Sequence, residues 1–348
     1  MKNSKKSVIH VLGMSMLLSM SSTSFAELVM DTSKGTGQAT LNWSSEDVSQ
    51  LLNGDASAEE VSPQGSTKVT TSVRSSNAGV THSAPKTVQV LNNSNYGNQP
   101  SINARAALVM DGQTGEVLYS KNSNTAFPIA SLTKLMTAVV IADARLNMSE
   151  KIILQQADFS CSGCKSSSST LRAGDSMNRA EALLFALMKS ENPAASALAR
   201  TFPGGRAAFI SAMNAKAKAL GMHSTHYLES TGLHPGNVSS ARDLGILVNT
   251  ASQYGLIRQF STTPSYDFNL GYRVLKSNNT NALVRNGGWN INISKTGYIN
   301  EAGRCVAMHT TLNNRPAVVV LLGADSSAAR TNDATRLMTW VSQLPKRI

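Results

Sequence analysis

The chain has 348 residues, with 32 Lys and Arg against 21 Asp and Glu, which gives a formal net charge of +11. Hydrophobic residues make up 41% of the sequence, enough for a sizeable core, so wholesale disorder is excluded, as are collagen-like, coiled-coil and disulfide-scaffold compositions. No apolar run reaches the ~18–20 residues that a membrane-spanning helix needs.

The first residues have the pattern of an export signal. Three lysines within the first six residues are followed by an apolar run at 8–20, and Ser24-Phe25-Ala26 puts small residues at the expected cleavage point. We predict a signal peptide over residues 1–26, export to the periplasm, where disulfides persist, and no stable membrane anchor after cleavage. A retained N-terminal anchor is the alternative.

The next segment, residues 27–100, is rich in Ser, Thr, Asn, Gln and Gly and carries 7 acidic against 4 basic residues. It cannot bury enough apolar surface to offset its ordering entropy, so we predict a flexible arm, in which residues 41–52 are the best candidate for a helix formed on a partner. Residues 101–348 carry a net charge of +11, which suits an anionic polymer. They contain no zinc-finger, RNP or basic-helix pattern, so nucleic acid is not the expected partner.

The periodicity of residues 101–348 predicts strands, then helices, then strands and a last helix. We expect a β-hairpin at 106–110 and 116–119, a buried helix at 128–146, helices near 179–189, 193–202, 206–219 and 240–253, strands at 290–294, 304–311 and 317–322, and a final helix at 333–344. Strands from both ends of the region can join one antiparallel sheet, with a helical lobe beside it, which is an α+β fold.

The first chemical motif is Ser131-Leu132-Thr133-Lys134, at the start of the apolar helix. Residues three apart on a helix share one face. Burial lowers the pKa of a lysine, and a neutral Lys134 can take the hydroxyl proton of Ser131. The Ser131 N–H, near a helix N-terminus, is available to stabilise an oxyanion. Taken alone, the pattern also fits a capping serine beside a surface lysine.

The second motif is Ser190-Glu191-Asn192, followed by Pro193, which suits the first position of a helix. In one interpretation Asn192 caps that helix. In the other, the Ser190 hydroxyl belongs to a proton relay and the Asn192 amide binds the backbone of a substrate.

The third motif is Lys295-Thr296-Gly297, at the end of the predicted strand at 290–294. A strand edge can bind an extended peptide, and Gly297 lets a ligand approach the backbone closely. Lys295 would attract a substrate carboxylate and lower the pKa of Lys134. An ordinary hairpin turn is the alternative.

The three motifs together are far more specific than any one of them. S-x-x-K, a Ser-x-Asn motif and K-T-G occur in this set in penicillin-binding proteins and class A β-lactamases. Over roughly 104–345 the chain resembles the low-molecular-mass penicillin-binding proteins, the D-alanyl-D-alanine peptidases, and most of all the endopeptidase branch called penicillin-binding protein 7; PIASLTKLMTA, LMKSENPAASALAR and KTGYINEAGRC carry the likeness. The resemblance implies a β-lactamase/transpeptidase-like fold, with a five-stranded antiparallel sheet flanked by helices and a mostly helical lobe.

The resemblance also implies a role for each catalytic residue. Ser131 would be the acylated nucleophile and Lys134 its general base, while Ser190 would pass a proton towards the leaving group. No metal and no other cofactor enters this scheme.

Substrate binding is implied for the remaining motif residues. Asn192 would hold the substrate, Lys295 and Thr296 would bind its carboxylate, and Gly297 would allow close approach. The N–H groups of Ser131 and Tyr298 would form the oxyanion hole.

The expected function is therefore a serine endopeptidase that cleaves peptidoglycan crosslinks, with stem peptides as substrates and β-lactams as covalent inhibitors. Carboxypeptidase relatives often carry a further β-rich domain and an amphipathic anchor, whereas 51 residues follow Gly297 here. A D-alanyl-D-alanine carboxypeptidase is the main alternative. A serine β-lactamase and a non-catalytic wall-binding protein are weaker ones.

The three cysteines leave the pairing open. Cys161 and Cys164 have the spacing of a local disulfide, and by resemblance their loop borders the active site. We expect a disulfide between them, with a free pair or a redox function as alternatives. Cys305 lies in an apolar strand and is expected to be a buried thiol, although a disulfide to the loop is open.

Overall fold

The computed structural model describes residues 99–345 and, before them, two short strands, Val29–Met30 (β1) and Ala39–Thr40 (β2), which pair antiparallel. The predicted signal peptide at 1–26 lies outside the described residues, as does the predicted helix at 41–52 with most of the 27–100 arm. Among the residues that are described, no helix has the length and apolarity to cross a membrane.

The strands and helices of residues 99–345 are numbered here in chain order. The remaining strands are β3 (Ala106–Asp111), β4 (Val117–Lys121), β5 (Phe127–Pro128), β6 (Lys151–Ile153), β7 (Ser176–Asn178), β8 (Val238–Ser239), β9 (Ser265–Asn269), β10 (Val274–Asn278), β11 (Asn290–Ile299), β12 (Gly303–Leu312) and β13 (Arg315–Ala324). The α-helices are α1 (Thr133–Asp143), α2 (Arg179–Leu184), α3 (Asn192–Arg200), α4 (Gly205–Ala219), α5 (Ala241–Ala251), α6 (Gly255–Thr262), α7 (Ala282–Asn286) and α8 (Ser327–Ser342).

Five strands form one antiparallel sheet in the order β11-β12-β13-β3-β4, so the two ends of the domain meet in it. Both faces are buried. Val318 and Val320 of β13 pack against the core that contains α1 and α5, whereas Val319 and Leu321 pack against α8. The predicted α+β architecture, with a five-stranded antiparallel sheet and a helical lobe beside it, is confirmed.

The apolar helix is buried as predicted, but it begins later than the sequence suggested. Residues 133–142 of α1 are all buried, whereas Pro128 belongs to β5, which pairs with β8, and a 3-10 turn over Ala130–Leu132 precedes the helix. The pairing with β8 and a positive φ of 47° at Ala130 keep the chain from being helical here.

Several elements differ from their predicted bounds. The K-T-G motif lies within a continuous β11 and not at a strand end, because the ladder with β12 runs on from Lys295 to Ile299. The sequence did not predict α6, α7 or the β9–β10 hairpin. The two helices are only eight and five residues long, and the two strands show little alternation of buried and exposed positions.

Candidate active site

The Ser131 side chain lies at the centre of the site, in the 3-10 turn before α1. Two glycines let other segments approach this turn closely. A Cβ on Gly297 of β11 would lie 3.0 Å from the Ser131 nitrogen, and a Cβ on Gly232 would lie 1.9 Å from the Ala130 oxygen. The turn is thus held between the edge of the sheet and the loop that contains Gly232.

Lys134 lies one turn after Ser131 and is fully buried. Its Nζ is 2.9 Å from Ser131 Oγ, 2.6 Å from Asn192 Oδ1 and 2.6 Å from the Thr231 carbonyl oxygen. Burial lowers the pKa of Lys134 to about 7, against the opposing influence of the Glu229 and Glu191 carboxylates.

The hydrogen bonds around Lys134 can be satisfied by the neutral amine as well as by the ammonium group, which donates to all three partners. A neutral amine has two N–H donors and one lone pair. The Asn192 Oδ1 and Thr231 carbonyl oxygens only accept, so they use the two N–H groups. The lone pair then faces Ser131, whose hydroxyl can donate across the 2.9 Å contact.

Ser190 and Lys295 form a second pair beside the first. Ser190 follows a π-helical turn over Phe185–Lys189 and has a positive φ of 64°. Lys295, almost fully buried, donates from Nζ to Ser190 Oγ at 2.8 Å and to the Thr296 carbonyl at 2.9 Å. Burial, followed by repulsion from Lys134, lowers the pKa of Lys295 well below its usual value.

Lys295 was expected to lower the pKa of Lys134, but Lys295 is not among the groups that shift this pKa in the structure. Repulsion between the two amines affects the pKa of Lys295, whereas the pKa of Lys134 is lowered by burial. Lys134 also has two carboxylates near it, those of Glu229 and Glu191, which favour its charged form.

Asn192 is the first residue of α3, and Glu191 is the residue that precedes the helix, so the Asn192 side chain is not a cap. Its Oδ1 accepts from Lys134, and its Nδ2 donates to Ser167 Oγ at 2.9 Å. The buried Glu191 carboxylate accepts from the hydroxyls of Ser169 and Thr170, each at 2.6 Å.

Residues 160–170, here called the cleft loop, therefore lie against the Ser190-Glu191-Asn192 motif through three side chains. On its other side, Lys165 forms an ion pair of 2.6 Å with Glu301, in the turn between β11 and β12. The loop thus links the α3 side of the site to the β11 side.

The Thr231 carbonyl owes its position to Glu229. The Glu229 carboxylate accepts from the backbone N–H groups of Thr231, Gly232 and His234, and from the side-chain amide of Asn237. These bonds fold residues 229–234 into a tight turn that directs the Thr231 oxygen towards Lys134.

The remaining predicted residues lie on β11. Thr296 is buried and its Oγ1 donates to Thr280 Oγ1 at 2.7 Å. Tyr298 is 46% exposed, with the Arg304 guanidinium 3.5 Å from its ring centroid. The eight predicted catalytic and substrate-binding residues therefore gather from three stretches of chain, around Ser131, Ser190 and Lys295.

Cys161 and Cys164 are joined by a disulfide in the cleft loop, and Cys305 is a buried free thiol whose pKa burial raises to about 11. The disulfide between Cys305 and the loop is therefore not formed. Cys161, Cys164 and Glu229 have ligand atoms within 4.8 Å of one another. They do not fit a metal ion, because the sulfurs are oxidised and the carboxylate is occupied by N–H donors.

Sequence reasoning missed Thr231, Ser167 and the structural role of Glu229. Thr231 acts through its backbone, so its side-chain identity carries no signal. Glu229 lies in the stretch LESTGL, outside the three motifs, and its spacing from Lys134 predicts no contact.

The chain is similar in sequence to known bacterial peptidases. Residues 93–326 match the model of peptidase family S11, described as D-alanyl-D-alanine carboxypeptidase. A Pseudomonas aeruginosa D-alanyl-D-alanine endopeptidase is 46% identical over 250 residues, which cover 70% of this chain and 78% of the relative. An Escherichia coli D-alanyl-D-alanine endopeptidase is 43% identical over 261 residues, 74% of this chain and 83% of the relative.

A carboxypeptidase and a solved structure are also similar. The D-alanyl-D-alanine carboxypeptidase DacF of Bacillus subtilis is 32% identical over 245 residues, 68% of this chain and 61% of the relative. The crystal structure of the Streptomyces K15 DD-transpeptidase superposes with a TM-score of 0.64 at 31% identity, and the match covers 70% of this chain and 98% of that one.

Proposed function

This chain belongs to the D-alanyl-D-alanine carboxypeptidase family S11 of serine peptidases, and we propose that within it the protein is an endopeptidase that hydrolyses the peptide crosslinks of peptidoglycan through an acyl-enzyme. The observation that carries the chemistry is the contact of 2.9 Å between Ser131 Oγ and the fully buried Nζ of Lys134, whose pKa is about 7. A hydroxyl beside a neutral amine is an activated nucleophile.

Acylation begins when the proton of Ser131 Oγ moves to Lys134 Nζ as the oxygen attacks the D-alanyl carbonyl carbon. The C–N bond then breaks, and the nitrogen leaves as an amine after it receives a proton. The backbone N–H groups of Ser131 and Tyr298 stabilise the oxyanion, and one such donor is worth about 10²–10³ in rate. Gly297 supports this arrangement, since a Cβ at this position would make a tight contact of 3.0 Å with the Ser131 nitrogen.

Proton delivery to the leaving amine runs through Ser190. Because Lys295 donates to Ser190 Oγ, the Ser190 hydroxyl hydrogen is available to the leaving nitrogen, and the proton that Lys134 took from Ser131 passes to Ser190 in its place. A substrate carboxylate bound by Lys295 and Thr296 favours the charged form of Lys295 and offsets the cost of its burial.

The Asn192 side-chain amide holds the acyl part of the substrate, after Ser167 has released it. Water then attacks the ester carbonyl carbon. Its hydroxyl group stays on the acyl carbon, its other proton passes through Lys134 to Ser131 Oγ, and the donor stem is released with a free carboxyl group. Penicillins resemble the acyl-D-Ala-D-Ala end and acylate the same serine, so they act as covalent inhibitors.

Two relatives above 40% identity are named endopeptidases, whereas the carboxypeptidase DacF is 32% identical, and this difference favours cleavage of crosslinks over trimming of terminal D-Ala. We place the enzyme in the periplasm, because residues 1–26 have the pattern of an export signal. Its net charge of +11 suits an anionic wall polymer.

Digestion of purified muropeptides tests the proposal. Crosslinked dimers and monomeric pentapeptides are incubated separately with the protein, and the products are identified by mass spectrometry. Conversion of dimers to monomers supports the endopeptidase. Loss of one terminal residue from the monomers alone would assign the carboxypeptidase instead, and release of neither product would leave only wall binding.

A further inference from the structure

A cavity of about 370 Å³ opens beside the catalytic lysine, within the usual size of sites for small ligands. It lies between the start of the cleft loop, helices α3 and α4, and residues 228–234. Asn192 and Thr231, both partners of Lys134 Nζ, are among its walls. Among the described residues, neither the Ser131–Lys134 pair nor the Ser190–Lys295 pair lines it, so the cavity adjoins the active site through Asn192 and Thr231.

The walls of the cavity are mainly apolar. Its large apolar lining residues are Phe159, Ile210, Leu228 and Leu233. Such walls remove methylene groups of a ligand from water, and they do not by themselves select a charge.

Arg206 brings a positive charge to the cavity wall, beside the carboxylates of Asp158 and Glu229. Its side chain is 39% exposed and pairs with Asp158, a fully buried carboxylate that Arg200 also binds, so two guanidinium groups share one negative charge. Within residues 99–345 the hydrogen bonds of the Arg206 side chain all run through Nη2, which leaves Nε and Nη1 available. The other carboxylate of the wall, Glu229, is occupied by the N–H donors of its own turn.

We propose that this cavity binds the side chain that precedes the scissile D-alanyl residue in the donor stem, an aliphatic arm ending in a carboxylate that pairs with Arg206. The inference rests on the proposed function and extends it to a substrate class. The leaving amine lies near Ser190, so the acyl chain continues on the opposite side of Ser131, past Asn192. The cavity begins there, with apolar walls for the arm and a guanidinium for its carboxylate.

Two synthetic acyl-D-alanyl substrates test this inference. They share one aliphatic arm before the scissile D-alanyl residue, and the arm ends in a carboxylate in one and a carboxamide in the other. For the unaltered protein we expect kcat/KM to favour the carboxylate by roughly tenfold, as for a hydrogen bond to a charged group. Arg206→Gln should remove this preference by lowering kcat/KM for the carboxylate substrate, while kcat/KM for the carboxamide substrate stays unchanged. An unchanged preference in the variant would overturn the proposal.

Two further variants separate binding in the cavity from general damage. Arg336→Gln makes the same chemical change on the exposed face of α8 and should leave the preference and both rates unchanged. Ser162→Trp places a large ring at the cavity wall from an exposed position; both long-armed substrates should slow, and one with an acetyl arm should not. Equal slowing of all three substrates would contradict the cavity. Near-ultraviolet circular dichroism checks that each variant is folded.

The outcome is independent of the muropeptide digestion. A tenfold preference that depends on Arg206, found in a protein that does not cleave dimers, would keep the cavity and reject the endopeptidase. Cleavage of dimers by a protein that shows no preference for the carboxylate substrate would keep the endopeptidase and reject the role of the cavity.

Discussion

The rate at which penicillin acylates Ser131 should depend on pH through Lys134. The working form of Lys134 is the neutral amine, because only this form has a lone pair for the Ser131 proton. Its pKa is lowered from 10.5 to about 7, chiefly by burial. The rate should therefore rise with pH, reach half of its maximum near pH 7, and level off above about pH 8.

The size of the effect follows from the fraction of neutral amine. With a pKa of about 7, this fraction is about one half at pH 7, about one tenth at pH 6 and about one hundredth at pH 5. A lysine with its ordinary pKa would behave differently, since the rate would go on rising about tenfold per unit through pH 9. The two profiles differ most between pH 8 and pH 9, where the acylation rate is constant for a lysine with a pKa of about 7 and still rises for an ordinary lysine.

The assay is the second-order rate of acylation by a fluorescent penicillin, measured by rapid mixing between pH 5 and pH 9. Glu191→Gln removes a carboxylate that raises the pKa of Lys134, so the midpoint should move to lower pH. Asp267→Asn removes a carboxylate from the exposed β9 strand and should leave the midpoint in place. Lys134→Ala should slow acylation by a factor of about 10²–10⁴ and abolish the rise of the rate with pH. A profile that is flat from pH 5 to pH 8 would refute the assignment of Lys134 as the base.

Three further substitutions give clear expectations. Ser131→Ala should abolish covalent labelling by penicillin and keep the thermal unfolding temperature, since the described side-chain bond of Ser131 is the one to Lys134; labelling of this variant would point to another nucleophile. Gly297→Val should slow acylation at least tenfold by pushing β11 away from the Ser131 nitrogen, because a Cβ at position 297 would lie only 3.0 Å from that nitrogen, and a normal rate would show that the contact can relax. Lys165→Ala breaks the exposed ion pair that links the cleft loop to Glu301, so the loop should move away from the β11 side more easily and hydrolysis of crosslinked dimers should rise modestly. A fall in that rate, measured by chromatography of the products, would mean that Lys165 binds substrate.

The main elements of this fold could be predicted because their signals are local. Residues 133–142 of α1 are apolar on nearly every side, which predicts a buried helix whatever surrounds it. Strand β13 likewise contains a continuous apolar run, from Ala317 to Leu322, that predicts a buried strand. The start of α1 was predicted wrongly because pairing of Phe127 and Pro128 with the distant β8 overrides local helix propensity.

In the candidate site, too, some features could be predicted from the sequence and others could not. The spacing of Ser131 and Lys134 predicted that they share one face of a helix, and the three motifs in their order indicated the family and with it the pairing of the two side chains. Burial of Lys134, and with it a pKa of about 7, could not be read from the sequence, because the groups around its Nζ lie 58 and 97 residues further along the chain.

Residue identity alone establishes which groups are available for the chemistry, since hydroxyl, amine and amide belong to the residue type and each motif is short. Their environment depends on how the chain folds. Desolvation depends on every segment packed around an atom, and the carbonyl of Thr231, the carboxylate of Glu229 and the cavity beside Arg206 reach the site from distant parts of the chain.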